Sequence, residues 1–228
     1  MDLVGVALKL SLIGAFIYLD RTHAMQVMIS RPIVTAPIIG YFAGNAAMGL
    51  LMGAIIELLW IRELPVGAFI PPDETTLAIL AASVGALSFS LDTRTEFALY
   101  IFALLIFLPA AYLSIRLDMA LRTLNNRLWR HAYDAVQNGH EGRVAAFHWT
   151  GAIVAFISYF LMFFAFLAVG LNIIRILFPL FPSQVKTAFF LTGCAVPVIG
   201  IAGALTTARG RWTLAIFSGV FFVLFILF

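Results

Sequence analysis

Eight apolar runs, at about 3–19, 33–43, 46–61, 77–91, 97–115, 149–171, 187–207 and 212–228, fill most of the chain, and none alternates with period two. Such runs are helices, because a membrane strand turns only every second side chain toward lipid. The same residues exclude a soluble domain: 63% of the 228 are hydrophobic and only 11% charged, with a mean hydropathy of +1.04, too little polar surface to face water. The sequence specifies an all-α integral membrane protein, a polytopic helical bundle.

Residues 3–19 follow Met-Asp without a Lys/Arg-rich leader or a small-residue cleavage site, and are expected to form a retained first helix. Cys194, the single cysteine, sits in the apolar LTGCAVPVIG, which excludes an internal disulfide and a cysteine metal cluster. His23, His131, His140 and His148 lack metal-ligand spacing on a helix, and no GxSxG or Walker A motif occurs. No covalent nucleophile, metal or cofactor is therefore expected. The net charge of +3 follows from the positive-inside bias of membrane proteins and does not call for nucleic acid.

The longest polar segment, 116–148, carries Arg116, Arg122, Arg127, Arg130 and Arg143 against Asp118, Asp134 and Glu141. This bias places it in the cytoplasm. Leu117, Leu121, Leu124, Leu128 and Ala132 recur at helical spacing, which predicts an amphipathic connector lying on the bilayer surface or on a partner. It divides an N-terminal membrane block, 1–115, from a C-terminal one, 149–228. Run 149–171 then leads outward and 187–207 returns, with Arg209 and Arg211 on the cytoplasmic side and Arg175 and Lys186 on the other.

The N-terminal block is expected to hold short, broken or re-entrant helices. Residues 33–44 make only about 18 Å of helix, roughly half the hydrocarbon thickness. Gly44-Asn45 then supplies a turn and 46–61 returns, predicting a hairpin over 32–61. GYFAG and GLLMG place small residues where backbones can approach closely, and Gly49, Gly53 and Glu57 share one helix face. APIIG at 36–40 is echoed by VPVIG at 196–200, either an internal repeat or chance. Glu57 has three apolar neighbours on each side; an acid at that depth either faces a functional cavity or pairs with an arginine such as Arg31 or Arg62. In ELPVGAFIPPDETTLA, 63–78, the prolines forbid a continuous helix, and Asp73 or Thr75 caps a new one beginning near 74. A helix N-terminus beside carboxylates suits a hydroxyl-rich neutral ligand; the alternative is an ordinary capped loop at the membrane surface.

The run SRPIVTAPIIGYFAGNAAMGLLMGAIIELLWIRELPVGAFIPPDETTLA, 30–78, resembles the IIC membrane subunit of the mannose/fructose/sorbose family of the bacterial sugar phosphotransferase system. Arg31, Pro32, Gly40, Gly44, Gly49, Gly53, Glu57, Gly67, Ala68, Pro72 and Asp73 fit that pattern without a gap, and 122–139 resembles the family's connector. The resemblance implies a multi-pass subunit of the bacterial inner membrane that translocates a hexose or amino sugar. It also implies a membrane partner, IID, cytoplasmic phosphocarriers IIA and IIB, and assembly as an oligomer of IIC–IID pairs. Glu57 and Asp73 would accept sugar hydroxyls, with Gln26, Arg31 and Asn45 as further contacts. Two departures stand out: Asn45 replaces the family's usual aspartate, and Met28 stands where a glutamine is usual, the nearest here being Gln26. An ion-coupled secondary sugar carrier and a diverged IIC-like scaffold without transport remain the alternatives.

Overall fold

A computed structural model describes residues 3–24, 26–61, 72–87, 92–140 and 142–207. Among them run α1 (Leu3–Thr22), α2 (Pro32–Ala43), α3 (Ala46–Trp60), α4 (Glu74–Ala82, continued by a 3₁₀ turn Ser83–Leu87), α5 (Thr93–Gln137), α6 (Arg143–Leu180) and α7 (Ser183–Thr207). Four of these, α1, α5, α6 and α7, are long and apolar enough to cross a membrane, whereas α2, α3 and α4 with its 3₁₀ turn are shorter. Short elements thus concentrate in the N-terminal half, as the run lengths predict. Most of ELPVGAFIPP, with Arg62, Glu63, Gly67, Ala68 and Pro71, lies outside the described residues, as do Arg209, Arg211 and the run 212–228.

The expected hairpin is present. Gly44 ends α2 at φ 106°, in the left-handed region that favours glycine, and the Asn45 side chain caps α3 by accepting from Met48 N at 3.0 Å. The two helices then pack backbone on backbone. A Cβ added at Gly49 would lie 2.5 Å from the Ala36 carbonyl oxygen, and one at Gly53 2.5 Å from that of Pro32. Only hydrogen fits at either place. Lipid tails are as apolar as the helices, so contact of this closeness, and not exclusion of water, holds such a pair together.

Helix α4 is buried all round, from Thr75 to Ala82, by α1, α2, α3, α5 and α6. A nine-residue helix with no polar face is stable only as the centre of something larger. Around it, α1 runs antiparallel to α6: Gly14 abuts Phe163, and Tyr18 packs against Tyr159 with ring centroids 3.8 Å apart and the rings tilted by 33°. Lys186, at the end away from the connector, lies over the Phe178 ring at 5.3 Å, which accommodates its charge there.

Residues 116–148, the expected amphipathic connector, are the joined ends of two long helices. Helix α5 continues through residue 115 without a break and ends only at Gln137, beside Gly139 at φ 74°. At 45 residues it is about 68 Å long. Helix α6 starts at Arg143 and returns alongside, with Gly151 against Asn125 and Phe147 stacked near His131 at 6.2 Å. The change from apolar to charged sequence at 116 changes the helix's surroundings, not its backbone. A helix stops at caps, and the capping signal here is Asn138-Gly139.

Gly49→Val should separate α2 from α3 and destabilise the protein by about 1–3 kcal/mol. A fall in the melting temperature of the detergent-solubilised protein, with Ala47→Val as a control, checks this.

Candidate functional site

The polar groups of the N-terminal half gather where α1 ends and α2 and α4 begin, at the connector end of the bundle. At the centre is Asp73, which caps α4, accepting from Thr76 N at 3.1 Å and Thr76 Oγ1 at 2.7 Å. Tyr18 and Ser114 also donate to it, and Arg21 pairs with it. Asp73 is only 2% exposed. Its carboxylate offers about four acceptor positions, and five donors already converge on it. In this conformation Asp73 is a structural centre joining α1, α4 and α5. To accept a sugar hydroxyl it must release one of those donors.

A second carboxylate shapes the turn between α1 and α2. Asp20 accepts from Val27 N at 2.7 Å, Ser30 N at 3.1 Å and Ser30 Oγ at 3.3 Å. Thr75 Oγ1 donates to the Ser30 carbonyl at 2.8 Å and Thr35 Oγ1 to that of Ile29 at 2.7 Å, tying the turn to α4 and α2. So held, Gln26 and Met28 take φ 55° and 67°, left-handed conformations that cost a non-glycine residue about 1–2 kcal/mol. Both side chains are exposed, Met28 by 72%. His23, just past α1, has its imidazole held below the ordinary histidine range by burial, with Asp118 opposing and Arg122 adding to the shift.

Glu57 pairs with Arg31 and faces Ile33 N at 3.5 Å. The hairpin register creates this pair: Arg31 is the N-cap of α2 and Glu57 lies in the last turn of α3, so closing the turn at 44–45 brings them together. Glu74 lies 3.7 Å from Arg21 and also feels the charge of Arg31. The result is a row of alternating charge, Glu57, Arg31, Glu74, Arg21 and Asp73. Its Glu57 end is the accessible one: the Arg31 side chain is half exposed and that of Glu57 17% exposed. Gly200 of α7 closes against Leu58, with space for no Cβ, next to Glu57.

Asn45 lies elsewhere. It stands at the hairpin tip, about 18 Å from Arg31 along α2, where its Nδ2 donates to Glu96 Oε1 at 2.7 Å. An amide fits that place because it donates to Glu96 and caps Met48 at once; an aspartate cannot do the first unless it is protonated. Of the five candidates, then, Arg31 and Glu57 meet, Gln26 lies on the preceding turn, Asp73 is buried at the far end of the charge row, and Asn45 is at the opposite end of the hairpin.

Sequence reasoning missed Tyr18, Asp20, Arg21, Glu74 and Ser114. Asp20-Arg21 directly follows the first apolar run, and Glu74 adjoins Asp73; adjacent charges closing a membrane helix are a usable signal. Tyr18 and Ser114 sit inside apolar runs and carry no such signal.

Helices long enough to span a membrane, wrapped around a buried short helix and a glycine-packed hairpin closed by an ion pair, define a polytopic α-helical membrane protein. The chain belongs to the family described as PTS system sorbose-specific IIC component, whose pattern matches residues 5–228. No curated protein matches it. Two solved structures share the fold. One, described only as a membrane protein, has a TM-score of 0.67 at 14% identity, covering 99% of this chain and 95% of its own. The other is the mannose transporter ManYZ in complex with microcin E492, with a TM-score of 0.53 at 16% identity and the same coverages.

Asp73→Asn should leave Arg21 with only the more distant Glu74 as counter-charge and lower stability by about 3 kcal/mol; adding Arg21→Met should restore part of the loss in the same thermal unfolding assay. Asn45→Asp should place two carboxyls together and lower stability by about 1–3 kcal/mol at neutral pH. That deficit should shrink as pH falls and the pair takes up a proton, which a melting series against pH reads directly.

Proposed function

We propose that the chain is the sugar-translocating IIC subunit of a mannose-type phosphotransferase permease, passing a hexose or amino sugar to cytoplasmic IIB for phosphorylation. The observation that carries this reading is the family match along nearly the whole chain. The shared fold with a mannose transporter is in keeping with a sugar as the solute, and a IID subunit as membrane partner goes with the IIC reading. With the arginine-rich hairpin of α5 and α6 in the cytoplasm, the row of charge from Glu57 to Asp73 opens toward the phosphorylating side. The membrane is the bacterial inner one, and IIC–IID pairs assemble further into an oligomer.

Glu57 and Arg31 are the assigned sugar contacts, one accepting from hydroxyls and the other donating to ring or hydroxyl oxygens, with Gln26 reaching in from the strained turn. Asp73 organises the helices behind them and exchanges a donor for the sugar when the bundle moves. Asn45 holds the hairpin tip against α5. The exposed faces of 116–143, with Arg127 and Arg130, are the assigned contact for IIB or IID.

The test is uptake of labelled hexoses and amino sugars into cells carrying this chain with its IID, IIA and IIB partners, scoring the chemical form inside. Sugar recovered as phosphate, and only when phosphoenolpyruvate is supplied, is the expected result. Unmodified sugar driven by an ion gradient means the secondary carrier, and no uptake by an assembled complex means the scaffold. Glu57→Gln should abolish uptake with the protein still inserted, and exchanging the pair as Arg31→Glu with Glu57→Arg should not restore it. Recovery in the exchanged protein would reduce the pair to a structural bond.

A further inference from the structure

Between the connector ends of α5 and α6 and the end of α1 lies a cavity of about 360 Å³. Its size falls within the range of small-molecule sites, which combine mostly apolar walls with a few convergent polar groups. The walls are Leu128, Trp129 and Phe147, and the polar groups are the Thr22 hydroxyl, the His23 and His148 imidazoles and the Asn125 amide. Thr22 Oγ1 lies 2.8 Å from His23 Nδ1, which leaves Nε2 for a ligand. Among the described residues neither Asn125 nor His148 has a side-chain hydrogen-bond partner.

The lining is also shaped. A Cβ at Gly151 would come 2.9 Å from Asn125 Oδ1, so glycine there leaves the amide its place beside the cavity. Trp129 is 66% exposed, and stacking on Tyr133, at 5.8 Å and 26°, orients its ring. Arg122, one turn before Asn125 on α5, stands outside the lining and is paired with Asp118 at 2.7 Å, and the fields of both charges reach His23. An indole face suits the C–H face of a polyol, an amide and a hydroxyl suit its OH groups, and the two imidazoles and the amide can donate N–H to phosphate oxygens.

We propose that this cavity binds a phosphorylated polyol, the chemistry shared by a hexose phosphate and by the glycerophosphate headgroup of an anionic lipid. The hexose-phosphate source rests on the phosphotransferase reading, of which it is the product. The site is separate from Glu57 and Arg31.

Equilibrium dialysis of radiolabelled glucose 6-phosphate against the purified chain with its IID partner, stripped of anionic lipid, tests one source. Binding to nanodiscs with and without phosphatidylglycerol, read by Trp fluorescence, tests the other. Saturable binding of either probe is expected, unaffected by free glucose and by Glu57→Gln, and weakened about tenfold by Asn125→Ala or His148→Ala. Binding of lipid alone assigns the site to the headgroup. Binding of neither probe to a complex that phosphorylates sugar overturns the site and leaves the permease reading standing. Binding that survives both alanine variants also overturns it. Lipid binding in a complex that never phosphorylates sugar keeps the site and removes the permease.

Discussion

A carboxylate buried among helices must be charged and fully satisfied or else protonated, because leaving an ion without partners in a low-dielectric interior costs several kcal/mol. Asp73 meets the first condition by drawing on three helices: Tyr18 and Arg21 from α1, Thr76 from its own α4, and Ser114 from α5. Each donor fixes the rotation of its helix about its axis, which apolar packing alone specifies weakly. The α1–α6 pairing inherits that rotation, since Tyr18 both donates to Asp73 and packs against Tyr159. The turn that carries Gln26 and Met28 inherits it too, because Asp20 sits beside Arg21 and Thr75 beside Asp73 and Thr76.

The α2–α3 hairpin is built on a different principle. No charge lies at its contact; the backbones touch at Gly49 and Gly53, and dispersion between closely spaced atoms supplies the attraction. Such a contact permits few registers, and the one adopted places Arg31 against Glu57 at one end and Asn45 against Glu96 at the other. The accessible ion pair is thus positioned by glycines a full turn or more away.

What could be read in advance divides along these lines. Local chemistry was legible: the Gly44-Asn45 turn, Asp73 as one of two possible caps on α4, the short lengths of α2 and α3, and Glu57 with Arg31 as one of two possible partners. Residues whose meaning is tertiary were not. Ser114 in an apolar run looks like any small helix residue until α4 is placed beside it, and Tyr18 looks like one more aromatic. The family pattern pointed to Asp73 but did not show that its oxygens are already engaged. At 116 the composition changes while the helix runs on, because a helix ends at its caps, and Asn138-Gly139 marks the end of α5.

An uninterrupted α5 has a mechanical consequence. Ser114, held by Asp73, lies about 34 Å from Gln137 at the helix tip. A tilt of about 5° at Ser114 therefore sweeps that tip through about 3 Å, the width of a hydrogen bond. Rearrangement around one buried carboxylate is in this way displayed, magnified, to whatever touches the rod's outer end, and a push on that end is returned to the carboxylate with the same leverage.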